Sequence, residues 1–411
     1  MSFRLSFKKP SPKVEIHLQG QGSGPYRSYT TGDCVEGYVS VFANRNMPLG
    51  RVGVIFQGKS QVKIEQALLY RRTKCELLFL KLNLPSTGTP HLLRSNEEYR
   101  FPFSFVIPDE LPLQFCQHHT SNIHAFMAHL QLPPTLGWTE TEHKPRSVHD
   151  LATDVAQISY AIQALLFSHR TQDAEELLST TTLPVRVIPA VEEAPPRATL
   201  GCQFYRTEKE KVLRHGFVGR TRGRLHVSMQ QPRPVKATQL GLSEEQNAST
   251  AATVELSFTP VGEQGPPALH SITVTLCAVT LYSATPWETF PDLLIGDSSF
   301  GHGGRGIYWN TITSSNFSIK SVPWTQSLKP PVNGLDLELD SKGSKPCSMT
   351  PFTASIVVPV TVPAKYQLVP TFHSCLVSRV YLLDVDFCYY RSSGTAFASE
   401  VSLRVPVQVV N

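Results

Sequence analysis

The residue type most suggestive of chemistry is histidine. His118, His119, His124 and His129 crowd one short stretch, and neutral imidazoles are common metal ligands. The run Asn122 to Leu132 reads as a strand, and positions an odd number apart on a strand face opposite ways, so His124 and His129 diverge. No Cys or carboxylate completes a plausible set, and H-E-x-x-H is absent. Loop and strand histidines without a metal are the expectation. Gly301-His302-Gly303-Gly304-Arg305-Gly306 formally matches G-x-G-x-x-G. A dinucleotide site needs a helix N-terminus there, whereas Ile307 to Ile312 is strand-like, so a flexible loop is expected. G-x-S-x-G does not occur, and no spacing of Ser, His and Asp favours a triad. No catalytic residue, cofactor or metal is therefore expected. A hydrolase or metal enzyme on a β-sandwich stays as the remote alternative.

The basic residues suggest binding. Arg220, Arg222 and Arg224 are two apart on a predicted strand and so share one face, with Arg206, Lys209, Lys211 and Arg214 before them and only Glu208 and Glu210 opposing. Such a stripe could contact anionic lipid headgroups or an acidic or phosphorylated tail; a solvated sheet face is the competing reading. Thirty-eight Lys and Arg against 33 Asp and Glu leave a net charge of only +5, so nucleic acid is not an expected partner. The eight cysteines are scattered without a C-x-x-C pair, which reads as reduced, partly buried thiols in a cytosolic protein.

The elements that must position these residues are strands. Val14, Ile16 and Leu18 alternate with Glu15, His17 and Gln19, and Val35, Gly37, Val39 and Val41 alternate likewise, as half-buried strands do. Further runs lie at Arg51 to Gln57, Cys75 to Leu82, Tyr99 to Ile107, Leu183 to Val187, Phe217 to Met229, Thr253 to Thr259 and Leu269 to Leu281. Later ones are Ile307 to Val322, Pro351 to Val358, Leu376 to Tyr390 and Ser399 to Val409. With 32 Pro and 25 Gly as punctuation, the pattern indicates sandwiches. Asp154 to Phe167 fits both periods; its polar Gln157, Ser159 and Gln163 share one strand face, so strand is expected. A short helix is possible at Gln172 to Leu178, with Asp173, Glu175 and Glu176 early in it. The Pro-rich stretch Ile188 to Pro196 divides the chain into nearly equal halves. Nowhere do eighteen apolar residues run together, and the first residues lack a signal-peptide core, so secretion and a bilayer span are not expected.

Several words are also familiar. Thr31-Gly32-Asp33-Cys34-Val35-Glu36-Gly37-Tyr38-Val39 resembles the arrestin-fold signature in which a turn leads into V-x-G-x-V, and Phe101 to Pro108 followed by Leu111-Pro112 resembles its second. His129 to Gly137, the linker Val187 to Glu193, and Val369 through Tyr381 look like fungal members of the alpha-arrestin clan. The resemblance implies an all-β chain of two concatenated immunoglobulin-like β-sandwich domains, over residues 1–190 and 198–411, with no catalytic site. It implies a cytosolic adaptor, recruited peripherally to plasma membrane or endosomes, that holds cytosolic tails of membrane transporters or receptors and promotes endocytosis or ubiquitin-dependent sorting. Phe7-Lys8-Lys9 resembles the first strand of receptor-type arrestins, which assigns Lys8 and Lys9 to phosphate sensing. Residues 83–98 are rich in Pro, Gly, Thr and Ser where receptor-binding arrestins carry an amphipathic helix, which disfavours a G-protein-coupled-receptor role. No tyrosine completes P-P-x-Y, so a ubiquitin ligase is expected to be recruited indirectly. A scaffold like the retromer cargo-binding subunit, working on endosomes without a ligase, is the alternative.

Overall fold

The computed structural model describes residues 12–20, 27–66, 71–84, 91–137, 150–171, 174–192, 206–214, 219–237, 248–291, 304–326, 350–390 and 398–411. Of these, 64% are strand and 4% helix, which agrees with the all-β expectation. No helix among them is long and apolar enough to cross a membrane.

The first half runs β1 (Lys13–Leu18), β2 (Ser28–Tyr29), β3 (Cys34–Phe42), β4 (Met47–Pro48), β5 (Arg51–Gln66), β6 (Arg71–Leu84), β7 (Leu92–Leu93), β8 (Glu98–Val106), α1 (Ile123–Leu130), β9 (Ala156–Thr171) and β10 (Ala174–Val187). Strands β1-β3-β8 form one sheet and β2-β10-β9-β5-β6 another. The two close on a core in which Phe56 of one sheet meets Phe105 of the other, ring centroids 5.9 Å apart. The V-x-G-x-V word is β3. Asp33 accepts a hydrogen bond from the Thr30 N–H at 2.9 Å, and Gly32 supplies the left-handed φ of +81° that turns the chain into the strand. Gly37 answers a different need, since a Cβ there would lie 2.1 Å from the backbone oxygen of His17 on β1. The second word, β8, pairs directly with the first, Gly37 opposite Phe103 and Val39 opposite Phe101.

The second half runs β11 (Arg206–Arg214), β12 (Thr221–Gln230), β13 (Val235–Lys236), β14 (Ser249–Pro260), β15 (Leu269–Ser283), β16 (Arg305–Ser318), β17 (Thr325–Gln326), β18 (Phe352–Thr361), β19 (Phe372–His373), β20 (Val377–Tyr390), β21 (Ala398–Val407) and β22 (Val409–Val410). One sheet has the order β11-β12-β14-β18-β17; in the other, β16-β15-β20-β19, β21 also joins β20. Leu225, Val227 and Met229 of β12 turn inward with Val254, Leu256 and Phe258 of β14, the burial that drives this sheet to close. Among the described residues every ladder pairs strands from the same side of residues 193–205.

The halves nevertheless share buried structure. Val369, Phe372, Leu376 and Val377 pack into the core of the first half. Arg379, fully buried, donates to the backbone oxygens of Asp150 at 3.1 Å and Leu151 at 3.0 Å. Leu151 holds a φ of +58° to present its carbonyl, which also accepts from Asn310 at 3.1 Å. The Asp150 carboxylate takes the N–H groups of Gly137 and Ala152 at 2.7 and 3.0 Å.

Three sequence readings need correction. Asn122 to Leu132 is not a strand: Ile123–Leu130 is helix α1, because Asn122 caps it by accepting the Ala125 N–H at 2.7 Å and Ala125, Ala128 and His129 bury one helical face. The segment after Gln172 is not a helix but the start of β10, whose Leu183 and Val185 lie opposite Ile162 and Tyr160 of β9; the ladder outweighs the local acidic signal. The strand expected from Phe217 begins at Thr221, which leaves Arg220 before it. Asp154 to Phe167, by contrast, is strand as expected, within β9 from Ala156 on.

Candidate functional site

The helix correction changes the chemistry of the histidines. A 3-10 turn over Leu113–Phe115 ends with the Cys116 N–H donating to Leu113 O at 3.2 Å, which fixes Cys116 just before His118. The chain is tied to the second half at Ser121, whose N–H donates to Glu288 O at 2.7 Å. In the last turn of α1, His129 is fully buried, while His124 and His119 are exposed. Cys375 comes from the turn between β19 and β20, pinned by Trp287, whose backbone and indole N–H groups donate to Cys375 O at 2.9 Å and Leu376 O at 3.3 Å.

These elements bring Cys116, His118, His129 and Cys375 together, one ligand atom from each within 4.8 Å of the others. Cys116 Sγ lies 3.3 Å from His118 Nε2, 3.8 Å from His129 Nδ1 and 4.0 Å from Cys375 Sγ. The set joins both halves. His118 Nδ1 is 3.1 Å from the His119 carbonyl oxygen, so it carries the proton and leaves Nε2 as a lone pair. His129 Nε2 is 3.1 Å from His373 Nε2, and His373 Nδ1 bonds Ser378 Oγ. A proton on His129 Nε2 and one on His373 Nδ1 satisfy this chain and free His129 Nδ1 toward the sulfurs. Burial, with His118 adding to it, pushes the His129 imidazole down to about 4, so it is neutral at ordinary pH. Burial pushes the Cys116 thiol up, and burial together with Cys116 pushes Cys375 well up.

Two thiols and two imidazoles with outer nitrogens already oriented form a donor set for a soft, tetrahedral cation. The expectation that no Cys completes a set is corrected here. His129 belongs to a helix rather than a strand, and Cys375 stands 259 residues from Cys116 in sequence. Cys116-x-His118 followed by the Asn122 cap was the local signal; no local signal pointed to Cys375.

Of the basic stripe, Arg206, Arg222 and Arg224 lie on the outer face of β11-β12-β14, whereas Lys209 and Lys211, opposite Val227 and Leu225, lie on the other face. Arg224 pairs with Glu210 at 3.1 Å, Arg206 with Glu255 at 3.0 Å, and His226 lies 3.4 Å from Glu208. Arg222 Nη2 donates to the Gly265 and Pro266 carbonyls at 2.9 and 3.1 Å, tying down the loop before β15. Arg220 precedes the strand and is exposed. Glu255, from a strand distant in sequence, joins Glu208 and Glu210 against the arginines, so the face is mixed in sign. Lys8 and Lys9 lie outside the described residues, as do Gly301 to Gly303; the residues after those glycines are strand β16, as expected. A scan of protein-family models and a search of curated proteins both find no match to this chain.

Proposed function

We propose that this chain is a non-enzymatic adaptor of the arrestin-like type, two immunoglobulin-like β-sandwiches over residues 1–190 and 198–411 that hold extended cytosolic segments of membrane transporters or receptors. It works in the cytosol and is recruited peripherally to plasma membrane or endosomes. The observation that carries this reading is the open edge of β16. Among the described residues this long strand is bonded to β15 on one side only, and its Tyr308, Trp309 and Phe317 are 45%, 41% and 36% exposed. An extended peptide can add to such an edge through backbone hydrogen bonds, with side chains setting the preference. Arg404 from β21 sits over Trp309 at 5.2 Å and braces the ring. Arg220 and Arg224, with Lys8 and Lys9, are the proposed contacts for phosphate or anionic lipid, and Arg222, beside them in sequence, anchors the loop before β15. Ligase recruitment runs through a second protein, since P-P-x-Y is missing.

Proximity labelling in the native cell, comparing wild type with Tyr308→Ala/Trp309→Ala, tests the reading. Membrane transporters or receptors should be labelled by wild type and lost from the variant. Labelling that excludes membrane proteins, or that the variant leaves unchanged, would refute it.

A further inference from the structure

We propose that Cys116, His118, His129 and Cys375 bind one structural zinc ion that clamps the two halves of the chain together. A four-coordinate zinc with Zn–S near 2.3 Å and Zn–N near 2.0–2.1 Å spans ligand pairs about 3.3 to 3.8 Å apart. The sulfur of Cys116 lies 3.3, 3.8 and 4.0 Å from its three partners, and all four ligand atoms lie within 4.8 Å of one another, so shifts of up to about 1 Å close the shell. All four positions are filled by protein, and Cys116, His129 and Cys375 are buried. No position is left open for substrate, which marks a structural rather than a catalytic centre. Thiolate and imidazole together favour zinc over hard cations that prefer oxygen.

The outer shell is the second observation. His118 Nδ1 is held by the His119 carbonyl, and His129 Nε2 by the His373–Ser378 pair. Both rings thus present the nitrogen that faces the sulfurs, the arrangement that orients metal-bound histidines. Binding releases the two thiol protons to solvent, and the zinc charge replaces them as the partner of the buried sulfurs. Three ligands come from the segment between β8 and β9 and the fourth from the β19–β20 turn, so occupancy crosslinks residues far apart in sequence. This inference is independent of the adaptor reading.

The test uses the whole chain, purified with reductant, stripped by chelator and titrated with Zn²⁺ and with Co²⁺ as a spectroscopic probe. One zinc per chain should survive dialysis, and Co²⁺ should give thiolate charge-transfer and intense tetrahedral bands. Cys116→Ser and Cys375→Ser should each lose both, while Cys388→Ser keeps both. Ser378→Ala, a small change in the outer shell, should weaken zinc binding by about 10–100-fold with circular dichroism unaltered; it keeps the claim testable should a cysteine variant fail to fold. The proposal is overturned by wild type that retains no zinc, by unchanged stoichiometry and affinity in folded Cys or Ser378 variants, or by a Cys116–Cys375 disulfide in its place.

Discussion

Two charged regions of this molecule use the same residue types to opposite ends. On the outer face of β11-β12-β14, Arg224 pairs with Glu210 and Arg206 with Glu255 in solvent, where ion pairs contribute at most about 1 kcal/mol. At the seam between the halves, Arg379 is fully buried and its Nη atoms are taken up by the Asp150 and Leu151 carbonyls. A buried guanidinium without those acceptors would be strongly unfavourable. The seam charge therefore specifies one docking of the halves, whereas the surface ion pairs add little to the fold.

The largest effect expected from breaking this contrast is at Arg379. Arg379→Met should remove about 3–5 kcal/mol in denaturant unfolding, because it deletes two charge-assisted hydrogen bonds at the seam and, while Leu151 O keeps the Asn310 donor, takes the guanidinium from the Asp150 carbonyl. A loss under 1 kcal/mol would place the seam in the same class as the surface. Metal removal comes next: with zinc at a hundred times its Kd, the bound form should be more stable than the chelated form by about 2.7 kcal/mol. Equal melting with and without chelator would contradict it.

How much of this was legible in the sequence differs between the regions. Strand alternation in Val35 to Val41 follows from a sheet with one buried face, and it led directly to β3. The double periodicity of β9 was decided by its polar residues, and its ladders with β5 and β10 are where it lies. Helix α1 was misread because Ile123, Ala125, Met127 and His129 also alternate; the Asn122 cap and the two alanines carried the contrary signal. Cys375 and Arg379 belong to the stretch Val369 through Tyr381, but the sequence assigns neither a role, since their partners, Cys116, Asp150 and Leu151, are brought to them only by the packing of the halves. Glu255 escaped for the same reason, being opposed to Arg206 across the sheet rather than along the chain.

A sharper test of the strand words is Gly37→Ala. The added Cβ would run into the His17 carbonyl on β1 and the Phe103 ring on β8, so a loss of about 1–3 kcal/mol is expected. A neutral result would mean that β1 can shift freely. The smallest effect is at the surface. Arg224→Ala should cost less than about 1 kcal/mol in the same unfolding assay, yet Arg220→Glu/Arg224→Glu should weaken binding to vesicles containing anionic lipid, and wild-type binding should fall as salt rises. Unchanged vesicle binding would leave these arginines as solvated residues of a sheet face.

Scanning calorimetry of the zinc-loaded chain tests the seam most directly. If the Arg379 contacts, the shared core and the Cys–His cluster hold the halves as one cooperative unit, heating gives a single transition whose calorimetric and van 't Hoff enthalpies agree. Two separated transitions, unaltered by Arg379→Met or by chelator, would contradict that account.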